Sequence, residues 1–442
     1  MICPKMASMV IRAAGRGEAQ IVFPALAVPA MIVVMKNPNL HLGWICGLFF
    51  CFFSDPLLAE PSPSAPHLQA PTWAGGKFLF LVDAAPESTL GIERSADLDV
   101  WEEFTSAVGG DAPFAVADAN ALPQDRQFYR AVLHAPNTAV VTNYHGWTNA
   151  ILLGNGVVEA VIVPNAGRVL QFRFMGETNG PFFENPALYG KNATVSSWNT
   201  TGGFGGDKPW PSPQSEWNWP PPAGFDGSPY TASINHGVVW LTGPVDSTYK
   251  IQVTRRIELA FGAPEMRITS SFERVAATTR TNRALGVWVV TQLSNPIRCY
   301  LPVPSPSIFP TGYYNLGTGI PNGFAVTNGL LGMPRNASSS YKIGSDAGTL
   351  LWVGTNWCLR LDSARVPGVS KNDYPDSGCS AEIYTNPNPV AYVEMELLGP
   401  LAKLQVGETM ARTSIYRLHH RQETDPDLEA RKLLGLAGPA NP

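Results

Sequence analysis

Between residues 138 and 418 short apolar runs recur, separated by polar, Gly- and Pro-rich stretches, the pattern of many strands joined by turns and long loops. Runs rich in Val, Ile, Phe and Trp predict strands over 150–153, 157–163, 169–174, 238–241, 249–259, 266–272, 284–293, 350–353, 381–385, 391–398 and 413–418. In the run over 391–398, alternation puts Val393, Met395 and Leu397 on one face and Tyr392, Glu394 and Glu396 on the other. Helical periodicity is nearly absent before residue 425. There Asp425-Pro426 makes a helix start and Gly435 a stop, so 419–442 reads as one short helix and a tail. The pattern predicts an all-β protein whose main body, 138–418, is a large antiparallel sandwich.

Upstream the pattern changes. Residues 73–134 read as a small β-sandwich-like module of three to five strands, with candidates at 78–82, 90–94 and 126–132. Residues 60–72 carry four prolines and read as an extended linker. The first 59 residues are expected to lie outside the fold. Met35 is read as the true start and 1–34 as an extension that is not part of the protein. Lys36, the apolar run 42–53 and Leu57-Leu58-Ala59 then form a signal peptide with its cleavage site. The expected location is secreted or periplasmic, with no membrane attachment after cleavage.

Composition narrows the functional classes. Charged residues make up 15% of the 442 and hydrophobic ones 45%, which excludes general disorder. A formal charge of -4 argues against a nucleic-acid partner. Gly 41 and Pro 40 suit many turns and long loops. Trp 12 is high, and indole faces serve both cores and sugar-stacking sites. Cys299, Cys358 and Cys379 are an odd set after the leader. At most one disulfide can form, and buried structural thiols are the default reading. No cofactor or metal motif is present, so none is expected.

Candidate chemistry concentrates in three places. Residues 198–222 hold four tryptophans, a Gly202-Gly203-Phe204-Gly205-Gly206 run and several prolines. This segment reads as a loop, and Asp207, Lys208, Trp210, Glu216, Trp217 and Trp219 are its candidate sugar ligands. The competing reading is a Trp-rich loop packed over the sheet. Arg168, after a strand and a small turn, is expected at a sheet rim where its fork can hold hydroxyls or a carboxylate. Glu394 and Glu396 share a strand face, close enough to perturb each other's protonation, unless that face is simply solvated. Histidine is scarce in the main body, which has His145 and His236.

The strand 157–163 followed by Pro164-Asn165-Ala166-Gly167-Arg168 resembles the opening of galactose-mutarotase-like domains. Glu394-Met395-Glu396 with Leu404-Gln405-Val406-Gly407-Glu408 resembles their closing strand and turn. Residues 138–418 are similar more specifically to a bacterial family of that fold. Its marks are Gly146-Trp147-Thr148-Asn149-Ala150, Lys208-Pro209-Trp210, Trp288-Val289-Val290-Thr291-Gln292 and Tyr374-Pro375-Asp376-Ser377-Gly378-Cys379. The block 73–134 resembles an accessory module of secreted bacterial proteins, through Ser95, Asp97-Leu98, Trp101, Asp118 and Arg126 to Arg130.

The resemblance implies a β-supersandwich with a concave carbohydrate site. It implies a Glu general base at Glu394 or Glu396, a substrate-binding Arg at Arg168 and a further ligand at Gln292. The family's catalytic His has no counterpart on the strand holding Gln292, which leaves His145 or His236 to replace it. The expected function is carbohydrate recognition, with aldose 1-epimerase-like isomerisation where catalysis occurs. A non-catalytic glycan-binding module and a structural or surface-interaction protein are the alternatives.

Overall fold

The computed structural model describes the backbone at residues 10–14, 18–22, 31–35, 65–74, 77–118 and 126–437. The chain divides into two compact units, Met1–Pro136 and Asn137–Pro442. The expected leader, 36–59, lies outside the described residues.

In the first unit a three-stranded sheet joins His67–Ala74, Lys77–Asp83 and Phe114–Asp118. A four-stranded sheet joins Met31–Met35, Arg126–His134, Thr89–Ser95 and Glu102–Val108. Phe78, Phe80, Leu90, Ile92 and Tyr129 form the core. Two expectations change. Met31–Met35, in the stretch set aside as an extension, pairs with Arg126–His134. His67–Ala74, in the expected linker, pairs with Lys77–Asp83. Pro71 is tolerated there because the strand is an edge and the register shifts between Gln69 and Thr72. The module's motif residues build a turn. Ser95 Oγ accepts from Leu98 N–H at 2.8 Å, Asp97 Oδ1 accepts from Val100 N–H at 3.0 Å, and Arg130 lies 4.1 Å over the Trp101 ring.

The second unit holds two ten-stranded antiparallel sheets. The middle of the first runs Arg168–Phe174, Gly206–Ser212, Gly286–Ser294, Tyr392–Leu398, Ala381–Thr385 and Tyr341–Ser345. The second has Ile251–Leu259, Glu265–Arg274 and Thr409–His420 side by side near its middle. Between them lies one apolar core, to which Val393, Met395 and Leu397 contribute alongside Ile268, Phe272 and Leu418. The alternation read over 391–398 therefore holds, with the apolar face inward. Truncating Leu397 to Ala is expected to cost about 2–5 kcal/mol.

The Gly- and Pro-rich segment departs from expectation, because Gly206–Ser212 is a strand. It pairs along its length with Gly286–Ser294, but on its other side only Val169 pairs with Asp207. The carbonyls of Asp207 and Pro211 accept instead from Arg255 and Trp217 side chains, at 2.9 and 2.8 Å. That edge demands little of the ladder, so Pro209 and Pro211 fit without an N–H. The preceding glycines are required by crowding. Gly205 has φ 86, and a Cβ there would lie 2.0 Å from the Phe183 carbonyl oxygen.

The short helix is Pro426–Leu434. The Asp425 side chain accepts from Asp427 N–H at 2.8 Å, and Gly435 closes it at φ 65. Cys299, Cys358 and Cys379 are all buried free thiols.

Candidate functional site

On the outer face of the first sheet, opposite its core face, a cleft of about 540 Å³ opens. Four tryptophans line it: Trp198, Trp210, Trp219 and Trp288. They meet edge to face, with Trp210 5.2 Å from Trp288 and Trp198 5.0 Å from Trp219. The 198–222 segment therefore both packs on the sheet and walls the cleft. Trp198 and Trp210 are packed against the sheet, while Trp219 keeps 53% of its surface exposed.

Parity along Gly206–Ser212 separates two groups of candidates. Asp207 points inward and is fully buried. It pairs with Arg255 and accepts from Thr291 Oγ1 at 2.8 Å and from Tyr416, so it does not line the cleft. Lys208 and Trp210 point outward. Lys208 is 1% exposed, and its Nζ has no hydrogen-bond partner among the described residues. The ammonium sits 5.4 Å from the Trp210 ring, 5.8 Å from the Trp198 ring and 3.9 Å from Glu394 Oε1.

The two glutamates read from one strand face have unlike surroundings. Glu396 accepts from Trp288 Nε1–H at 2.7 Å and lies 2.8 Å from Lys342 Nζ. Directly across the ladder from it is Glu382, itself 2.5 Å from the same Nζ. Two carboxylates facing each other across strands repel, and Lys342 is the bridge that lets both stay buried. Burial opposes the charge on Lys342, but the three nearby carboxylates outweigh it and hold its pKa well above the ordinary value.

Glu394 lacks such a bridge. Burial, with Glu396 adding to it, raises its pKa from 4.5 to about 7, although Lys208 pulls the other way. Burial lowers Lys208 from 10.5 to about 8, against the pull of Glu394. An acid that titrates near neutrality inside an aromatic cleft can both take and give a proton. The expectation of a merely solvated acidic face is thus corrected, since both glutamates line the cleft and are buried.

Arg168 is also corrected. Expected at a rim, it is 1% exposed. Its donors go to the Ala166 carbonyl at 3.1 Å, the Gly205 carbonyl at 2.8 Å and the Asp226 carboxylate. Asp226 in turn accepts from Trp210 Nε1–H at 2.7 Å, and its carbonyl accepts from Trp198 Nε1–H at 3.1 Å. Arg168 therefore orients two indoles through Asp226 and has no fork left for a ligand.

His145 and His236 each hold a positive φ, 45° and 47°, in two-residue His-Gly hairpin turns, at residues 145–146 and 236–237. His145 stacks on Tyr189 at 4.1 Å and lies 3.8 Å from Glu184; no His lines the cleft among the described residues. Gln292 is fully buried on the strand beside Glu394, directly opposite it in register. Glu216 and Trp217 line a different pocket.

Two cleft residues, Lys342 and Tyr384, escaped sequence reading, as did Glu382, fully buried beside Lys342. Glu382 and Tyr384 had a signal, because the alternation in 381–385 sets them opposite Ala381, Ile383 and Thr385. Lys342 lies on a strand that was not predicted, Tyr341–Ser345.

No protein-family model and no curated protein matches the chain. Solved structures do match. One is a candidate aldose 1-epimerase from Escherichia coli K12, at 11% identity over 62% of this chain and 99% of that one, TM-score 0.42. Another is a galactose mutarotase-like protein from Clostridium acetobutylicum, at 10% identity over 65% of this chain and 100% of that one, TM-score 0.43. A candidate mutarotase from Salmonella typhimurium aligns at 10% identity over 65% and 95%, TM-score 0.41. The likeness is to mutarotase-like proteins. At these identities it concerns the fold alone.

Proposed function

We propose that the tryptophan cleft binds a sugar ring, with the Glu394 carboxyl on its floor as a hydroxyl ligand. The observation that carries this reading is the combination of indole walls with a buried carboxyl on the floor. Indole faces pack on the C–H faces of a pyranose, while carboxylates and tyrosine hydroxyls bond its hydroxyl groups. The volume of about 540 Å³ suits one or two rings.

Recognition is the first reading because no histidine lines the cleft among the described residues. Isomerisation at the anomeric carbon is the second, favoured by the near-neutral titration of Glu394. In that reading Glu394 takes the anomeric hydroxyl proton as the bond from C1 to the ring oxygen breaks. The ring oxygen takes a proton from solvent, and reclosure on the other face of C1 reverses both transfers.

A calorimetric screen of neutral mono- and oligosaccharides tests the proposal, with Trp219→Ala alongside. Trp219 is the right probe because Trp210 is buried and anchored to Asp226. Loss of this ring is expected to weaken sugar binding by about 5-fold, in line with a single stacking contact. Polarimetry on any sugar that binds separates recognition from mutarotation. If no sugar binds the intact protein, the reading fails.

A further inference from the structure

The loop that carries Trp219 into the cleft also walls a second pocket of about 470 Å³. Glu216, Trp217 and Asn218 line it on one side, and Tyr249, Arg280 and Arg283 on the other. Its charge differs from that of the cleft. Two guanidiniums face a single carboxylate, whereas one lysine, Lys342, lines the cleft with two glutamates, Glu394 and Glu396.

The pairing in this pocket is loose. Arg280 and Arg283 each reach Glu216 at 3.4 Å. Charge-assisted hydrogen bonds usually close to about 2.7–2.9 Å. The side chains are 39% and 60% exposed, so both forks keep donors open to the pocket. Arg280 also donates to the Glu216 carbonyl at 3.1 Å, and Tyr249 OH donates to that carbonyl at 2.8 Å. The loop backbone is thus fixed by contacts that do not consume the second guanidinium.

We propose that this pocket is an anion subsite for the carboxylate or sulfate group of an acidic sugar chain. A neighbouring ring of that chain occupies the tryptophan cleft, so the inference rests on the carbohydrate reading. One unbalanced positive charge matches a group bearing one negative charge. Planar arginine forks hold such oxyanions through paired bonds. Loop 213–222 contributes to both pockets, so a chain lying across it meets both.

Titration calorimetry of the full chain tests this with three probes of equal length. They are an oligoglucuronate, its carboxyl-reduced neutral counterpart and a sulfated neutral oligosaccharide. An acidic probe is expected to bind more tightly than the neutral one, with the difference shrinking at high salt. The acid that shows the preference identifies the group. Arg283→Ala is expected to reduce acidic-probe affinity by about fivefold and leave neutral affinity unchanged, the scale of one exposed charge contact. Glu216→Gln, which removes the competing carboxylate, is expected to raise acidic-probe affinity.

Equal affinity for all three probes, or an acidic preference that survives Arg283→Ala, overturns the subsite. The first result leaves the cleft reading intact. Acidic binding that falls in Arg283→Ala while the neutral probe does not bind supports the subsite and removes the cleft reading instead.

Discussion

Glu394 and Glu396 sit two residues apart on one strand, face one cleft and are both buried, yet they belong to different electrostatic worlds. Glu396 is held by an indole N–H and by a lysine at 2.8 Å that it shares with Glu382. The nearest cation to Glu394 is 3.9 Å away, itself caged by tryptophan rings and short of hydrogen bonds. The contrast teaches that spacing along a strand makes two carboxyls neighbours without making them equivalent. One is locked into a structural network. The other is left with a titration near neutral pH.

The largest expected effect breaks the comparison from the Glu394 side. If the cleft isomerises a sugar, Glu394→Gln should cut the polarimetric rate by about 10²–10⁴-fold, the range for losing one positioned acid–base group. The same substitution should change the melting temperature little, because the buried Glu394 charge is disfavoured and Lys208, already lowered to about 8 by burial, can shed its proton rather than stay charged alone. A drop in melting temperature as large as for a core truncation would mean that Glu394 is structural.

Lys342→Met attacks the other side. It strands Glu382 and Glu396 without their shared cation, and a loss of about 3–5 kcal/mol is expected in urea unfolding. Lys208→Met should cost much less, because its ammonium makes no hydrogen bond among the described residues and its carboxylate neighbour is 3.9 Å away. Equal costs for the two lysines would erase the distinction drawn here.

The smallest effect is the pH dependence. Below about pH 4.5 Glu394 is protonated in both folded and unfolded chains. Above that the unfolded chain releases its proton first, so this group's contribution to stability is lost as pH climbs to about 7. Lys208 acts at higher pH. Between about 8 and 10.5 the folded chain has already shed the proton that the unfolded chain retains, so stability recovers there. The dip is expected to be on the order of 1–3 kcal/mol. Glu394→Gln should flatten its acidic limb, and a limb unchanged in that variant would assign it to another group.

Much of the scaffold was legible in advance. Strand 381–385 lies where its alternation puts it, and the helix after Asp425 begins and ends on the residues that cap it. The strand through Pro209 and Pro211 was not legible, because proline content argues against a strand until the neighbouring edge is known to need few bonds. Arg168 was misplaced for a related reason. A guanidinium after a turn looks like a rim residue until Asp226, far along the chain, is found beside it.

By itself the sequence determined parity: which side chains of 392–398 point to the core and which to the other face, because that depends only on the two-residue repeat of a strand. It equally determined the caps and turns, which are satisfied within a few residues. Tertiary structure alone decided which cation each glutamate received. Register across the strands lines Lys208 up with Glu396 and Lys342 with Glu394, yet each side chain reaches diagonally to the other glutamate. A carboxyl's protonation is set by its burial and by the charges within a few ångströms. Those quantities exist only once the sheet has closed over its core.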